Sequence, residues 1–224
     1  MHFIHLLAII KNGMNRNIIV FGATGKTGRL ICKELELNNF TYSVFVREQS
    51  TNKIENSTVK IKTGSVLNAE DVKLAFDTES FSDVIIALGS KDLKGAGTRA
   101  IGTKNILDAL NSTQSKSHIH AISALGVGES WTQLNWFGKL ISNLLIKPTM
   151  TDHNEQEKHL MGNSVPYHIL RPVGLKDGVS KGEVHVQNEG FLPSNSIQRA
   201  DVAKFLVKSL LEGKTGVSGI CQNT

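Results

Sequence analysis

The sequence predicts an α/β domain built on a doubly wound parallel sheet with a small C-terminal substrate lobe. Three observations carry this. Strand-like and helix-like patterns alternate along most of the 224 residues, as they do where crossover helices join parallel strands. Near the start, Ile18-Ile19-Val20-Phe21 runs into Gly22, Gly25 and Gly28, and a helical period of Leu30, Ile31 and Leu35 follows. Hydrophobic residues make up 40% and charged residues 20%, enough apolar matter for a large core and too much for disorder.

The elements follow in order. A first strand is expected near 17–22 and its helix near 26–37. Tyr42-Ser43-Val44-Phe45-Val46 gives a second strand ending at Arg47, and Val59-Lys60-Ile61-Lys62 a third ending at Gly64-Ser65. Asn68 starts a helix carrying Val72, Leu74, Ala75 and Phe76, because an Asn side chain can cap the first free N–H groups. A fourth strand over 83–88 closes at Gly89-Ser90, and a helix over about 98–111 places Ile101, Ile106, Leu107 and Leu110 on one period. His118 to Ile122 forms a fifth strand ending at Ser123. Residues 128–150 hold Trp131, Trp136, Phe137 and the run Leu140-Ile141-Leu144-Leu145-Ile146. They read equally as a buried helix with its loop or as an apolar wall over a ligand pocket. Thr151-Asp152 can cap a helix reaching Met161, and Tyr167 to Leu170 is a sixth strand ending at Arg171-Pro172. A polar, glycine-containing segment runs to about 197, and a final helix spans Arg199 to Leu211.

The strand–glycine turn–helix succession is the arrangement that receives a pyrophosphate. Backbone N–H groups approach the phosphates with the positive end of a helix dipole behind them. Gly22 permits the turn, Gly25 the close approach and Gly28 the packing of helix on strand. Substitution of Gly22 or Gly25 by valine is expected to remove nucleotide binding with the fold largely intact, because the turn lies outside the core. The net charge of +5 is spread without a Lys/Arg block. It suits a phosphate-bearing ligand and gives no footprint for nucleic acid.

Cys32 and Cys221 sit in no CxxC and read as reduced thiols of a cytoplasmic protein. His118 and His120 alternate on a strand, but no metal-ligand spacing is recognised among the eight histidines. Residues 3–10 are apolar yet too short to cross a bilayer and lack a cleavage signal. Residues 1–15 are read as an N-terminal extension, and 16–224 as one domain.

VFGATGKTG, VFVRE, GSVLNAEDV, IIALGS, ISALGVG and YHILRPVGL occur in that order over about residues 16–215. Together they resemble the atypical short-chain dehydrogenase/reductases, with an NAD(P)-binding Rossmann domain, on the biliverdin-IXβ reductase/flavin reductase branch with NmrA-like regulators as neighbours. The resemblance implies an extended dinucleotide. Gly22, Ala23, Thr24, Gly25, Lys26, Thr27 and Gly28 would surround the pyrophosphate and its ribose. Ser65 and Val66 would lie against adenine, although the family usually has Asp at the position of Ser65. Leu88, Gly89 and Ser90 would follow the middle of the cofactor, and Pro172 and Val173 would meet the nicotinamide. All of these lie just past the carboxyl ends of expected strands, where parallel sheets bind ligands.

Arg47 stands where an NAD-specific enzyme places an acid for the ribose hydroxyls, and it can pair with a 2′-phosphate instead. Glu48 would point the other way if the strand continued. NADP(H) is therefore the expected cofactor. Ser123 and His153 are the candidate catalytic residues. The resemblance places Ser123 beside the nicotinamide, where its hydroxyl can donate to a carbonyl or hold a water. Tyr42 and Tyr167 are followed four residues on by Val46 and Arg171, so neither makes the Tyr-xxx-Lys pair of the main short-chain dehydrogenases. His153 sits at the corresponding helix, four residues before Glu157. It reads equally as a proton donor or as a surface histidine paired with that acid.

The expected activity is NADPH-dependent hydride transfer to a small acceptor such as a flavin, tetrapyrrole or quinone, with solvent or Ser123 supplying the proton. The alternative is an NADP(H)-binding redox sensor without turnover. Sugar-nucleotide chemistry needs the missing Tyr-Lys pair. No nucleic acid or membrane partner is expected, and the chain reads as a monomer or small homo-oligomer.

Overall fold

A computed structural model describes residues 16–89, 97–133 and 147–223, and among them five α-helices pack on a mostly parallel sheet. The sheet runs through β1 (Ile18–Phe21), β2 (Tyr42–Val46), β3 (Lys60–Thr63), β4 (Asp83–Ile86), β5 (His118–Ile122), β6 (Tyr167–Pro172), β8 (Val184–Val186) and β10 (Gly216–Gln222). Their spatial order is β3-β2-β1-β4-β5-β6-β10-β8. Every pairing is parallel except that of β8 with β10. β7 (Gly174–Lys176) and β9 (Ser196–Gln198) form a separate parallel pair.

The strand order reverses at β1, which lies between β2 and β4. Such a reversal opens a crevice outside the carboxyl ends of the strands, the usual ligand position in these sheets. β1 is buried on both faces and feeds two cores. Ile18 and Val20 pack with residues of α1 (Lys26–Leu37) and α5 (Arg199–Leu211). Ile19 and Phe21 pack with α2 (Ala69–Asp77) and α3 (Thr98–Ser112), and with Leu160 of α4 (Lys147–Met161). The second core holds an aromatic chain, with Phe21 5.0 Å from Phe45 and 6.1 Å from Phe76 between ring centroids.

Most expected elements lie where the patterns place them. Asn68 caps α2 by accepting the Glu70 N–H at 3.0 Å. Ile101 and Leu74 depart from their expected faces and are exposed. The helix assigned to 151–161 begins at Lys147, so Asp152 lies within it rather than at its start. Its carboxylate reaches across to α3 and accepts the N–H groups of Arg99 and Ala100 at 3.2 and 2.9 Å. Gly97 caps α3 without a side chain, and Asp152 supplies that cap from another element. No helix among the described residues is long and apolar enough to cross a membrane. Residues 1–15 lie outside the described residues.

Candidate functional site

Gly22 follows β1 with φ +89°, a conformation that favours glycine. A Cβ there would stand 2.3 Å from the Ala87 carbonyl oxygen. At Gly28 a Cβ would stand 2.0 Å from the Gly22 oxygen. Both glycines are required by the packing of β1, β4 and α1. Gly25 differs. Its φ of −76° is ordinary for any residue, and the one near atom to its Cβ position is the Gly22 oxygen at 3.3 Å. The fold leaves open space at Gly25, just before the N–H groups of α1.

The other described residues expected at the cofactor lie at or just past the carboxyl ends of β1, β2, β3, β4 and β6. Thr24 and Thr27 are half-buried beside the turn, whereas the Ala23 side chain is buried in the first core. Arg47 is exposed at the end of β2. The strand stops there, because Glu48–Lys53 form a 3-10 turn with Ser50 N–H bonded to the Arg47 carbonyl at 2.8 Å. Ser65 follows β3. Its N–H donates to Asp71 Oδ2 at 2.8 Å, and its hydroxyl accepts from Leu67 N–H at 3.3 Å. The departure from Asp at this position is thus absorbed by a local turn tied to α2. Val66 and Leu88 meet over Gly102, where a Cβ would stand 2.7 and 2.8 Å from their methyl carbons. They form an apolar patch between β3, β4 and α3. Gly89 has nothing near its Cβ position. Ser90 lies outside the described residues, as do Trp136, Phe137 and the apolar run from Leu140 to Ile146.

At the far end, Pro172 and Val173 are buried, and Val173 N–H bonds to the Ile220 carbonyl at 3.1 Å. The Val173 side chain belongs to the first core. Ser123 is 3% exposed, and its hydroxyl has no partner among the described residues. A buried hydroxyl left unpaired is costly unless something outside the protein uses it. Three residues on, Gly126, Val127, Gly128 and Trp131 line an open cavity of about 310 Å³, faced by Lys147, Met150, Thr151 and Asn154 of α4. Of the 128–150 stretch, Trp131 borders this cavity from the 3-10 turn Gly128–Gln133.

Charge around this edge is ordered in two groups. Arg171 is buried and grips Glu157 of α4, with Nη2 2.6 Å from Oε2, while Nη1 reaches Glu129 Oε1 at 2.9 Å. Desolvation opposes the Arg171 charge, but the two carboxylates hold it firmly protonated. Lys26 at the start of α1 bonds Asp177 Oδ2 at 2.7 Å, and Arg199 of α5 takes the other oxygen at 2.5 Å. Hydrogen bonding from Lys26 holds the Asp177 carboxyl below its usual range. Asp177 lies in a segment whose polar composition gave no sequence signal for this bridge.

His153 is neither a surface group nor the partner of Glu157. It is 7% exposed in α4, and its Nδ1 has no partner among the described residues. Burial, aided by the Arg99 guanidinium, pushes its pKa down to about 3. The imidazolium form that a proton donor needs is therefore scarce near neutral pH. The unfolded imidazole titrates near 6.5, so the folded chain binds fewer protons between those values. The stability this group contributes is present above pH 6.5 and is lost progressively as pH falls toward 3. Melting curves at about pH 7 and about pH 4 are expected to differ by several degrees. His153→Leu should flatten that dependence; an unchanged slope would place the acid sensitivity elsewhere.

The sequence matches the NAD(P)H-binding family over residues 22–212. The chain belongs to that family. Its fold is similar to that of an anaerobillin reductase from Escherichia coli O157:H7, with TM-score 0.77 and 20% identity over 92% of this chain and 96% of that one. It is also similar to a short-chain dehydrogenase/reductase from Veillonella parvula in complex with NADP (TM-score 0.75, 18% identity, 92% and 94% covered). A putative NADH-flavin reductase from Streptococcus pneumoniae gives TM-score 0.73 at 16% identity, with 93% and 100% covered. These neighbours share the fold that the motifs implied. A curated relative, an uncharacterized chloroplastic protein of Arabidopsis thaliana, is 27% identical over 88% of this chain and 72% of its own length.

The NAD(P)H-binding assignment fits this chain's own geometry. The open space at Gly25, the apolar patch of Val66 and Leu88 and the unpaired Ser123 hydroxyl lie along the carboxyl edge of one parallel sheet.

Proposed function

We propose that the protein is an NADPH-dependent oxidoreductase that reduces a small conjugated acceptor, a flavin, tetrapyrrole or quinone. The observation that carries this reading is the buried, unpartnered Ser123 hydroxyl, which precedes a cavity at the same sheet edge as the glycine turn. When bound, the cofactor's nicotinamide supplies a hydride. The turn from Gly22 to Gly28 holds the pyrophosphate, Val66 lies against adenine, Leu88 follows the middle of the cofactor, and Pro172 bounds the reacting end. Trp131 supplies an apolar wall against which a flat acceptor can stack. Ser123 donates to the acceptor or holds a water, and solvent delivers the proton. The two free cysteines suit a reducing compartment, the cytoplasm in this reading.

The deciding experiment measures NADPH binding directly, alongside NADPH consumption with flavins, biliverdins, quinones and aldehydes. Turnover with a flat conjugated acceptor supports the proposal. Tight binding with no turnover on any acceptor replaces it with the redox-sensor reading.

Arg47 sets the cofactor preference in this proposal. It is exposed and makes no ion pair among the described residues, so it is free to meet a 2′-phosphate. Arg47→Ala is expected to weaken NADPH binding by about 1.5–3 kcal/mol and leave NADH nearly unchanged. Calorimetric titration with equal losses for both would remove the assignment. Ser123→Ala is expected to lower turnover roughly tenfold with cofactor affinity little changed. His153→Ala should turn over close to wild type if solvent is the donor. A larger loss than in the serine variant would return the proton route to His153.

A further inference from the structure

At the opposite end of the strands from the glycine turn, four ionisable side chains gather where β4, β5 and β6 begin. Parallel register sets Asp83 beside His118 and His120 beside His168. Residues two apart on a strand share a face, so His118 and His120 stand together with their ring centroids 4.3 Å apart. A ligand atom from each of Asp83, His118 and His120 lies within 4.8 Å of the other two. We propose that Asp83, His118 and His120 form a binding site for a divalent transition cation of the zinc or cobalt class.

The chemistry of the donors supports this. Two imidazoles and one carboxylate are a ligand set that zinc accepts, with a fourth position left for water. The His118 Nε2 and His120 Nδ1 are buried and have no partner among the described residues. Buried polar atoms left unpaired call for an ion or water to explain them. A backbone hydrogen bond to Tyr167 engages His118 while its Nε2 stays free. That is how a metal-ligating histidine is commonly oriented. His118 is half-buried and gives a way in. Asp83 is fully buried, with Ser82 Oγ donating to Oδ2 at 2.7 Å.

Arg16 is the competitor. Its Nη1 lies 2.7 Å from Asp83 Oδ1, the oxygen that also faces His120 Nε2 at 3.3 Å. A cation entering the cluster takes over the charge that Arg16 now neutralises. The Arg16 side chain is 23% exposed, so it can swing into solvent.

Cobalt(II) added to the full chain tests the site through the visible absorption of low-coordinate cobalt. One cobalt per chain with such bands is expected. His118→Gln should weaken binding by about 100-fold; Arg16→Gln should tighten it several-fold. A His159→Gln/His185→Gln variant, which alters histidines of α4 and β8 outside the cluster, should bind as wild type. NADPH affinity should be the same in all variants, because the cofactor edge is at the other end of the strands. The assignment is overturned by absent coordination bands, by His118→Gln binding as wild type, by unchanged or weaker binding in Arg16→Gln, or by loss of binding in the His159/His185 variant.

Discussion

Gly25→Val is expected to give a folded chain with NADPH affinity reduced by at least about 100-fold, roughly 2.8 kcal/mol. The backbone at Gly25 has φ −76° and ψ 165°, which a β-branched residue adopts readily. A Cβ there meets the Gly22 oxygen at 3.3 Å, a contact that a few tenths of an ångström relieve. The added methyl groups instead fill the space through which phosphate oxygens reach the first N–H groups of α1. Gly22→Val and Gly28→Val should behave differently. Each places a Cβ within 2.3 Å of a backbone carbonyl oxygen, and Gly22 adds a φ of +89°. Both are expected to lower stability enough to impair folding, so the expectation that Gly22 could be replaced with the fold intact is corrected. Circular dichroism with a cofactor titration separates the two classes. Normal affinity in folded Gly25→Val would put the nucleotide elsewhere.

Arg171→Leu is expected to cost about 3–5 kcal/mol of stability. Glu157 is 3% exposed, and Arg171 holds it through Nε as well as Nη2. Removing the guanidinium leaves a buried carboxylate without its counter-charge. That loss is a large share of the stability of an ordinary domain. Arg171→Leu combined with Glu157→Leu should recover much of it, because neither charge then remains buried. Urea midpoints for both singles and the double close the cycle. A single variant as stable as wild type would show that the pair is not supporting the junction of β6 and α4.

The turn and the sheet edge were legible because their signals are local. Glycine spacing after Phe21 and strand runs ending at Arg47 and Ser123 each report on a few neighbouring residues. What escaped depends on partners distant in the chain. β10 reads Gly-Val-Ser-Gly-Ile-Cys-Gln, too glycine-rich to announce a strand, yet it is largely buried because β6 and β8 flank it. Asp152 looked like a cap for its own helix and serves α3 instead, a role fixed by the packing of α3 on α4. His153 carried two alternatives, and burial against α3 overturned the surface one. The Arg171–Glu157 clamp was equally hidden, since Glu157 had been read with the histidine one turn away. Asp83, His118 and His120 come together through strand register, which spacing along one strand does not reveal.

β8 joins the main sheet through β10 alone, although β10 is made some thirty residues later in the chain. During synthesis β8 therefore emerges with no strand to receive it, and the open side of β6 has no neighbour. Assembly at this end runs against the order of translation: neither β8 nor the open side of β6 is paired until β10 has been made. The interval is one in which an unpaired sheet edge can recruit another chain. Residues 216–222 are thus the segment on which the closing of this half of the sheet waits.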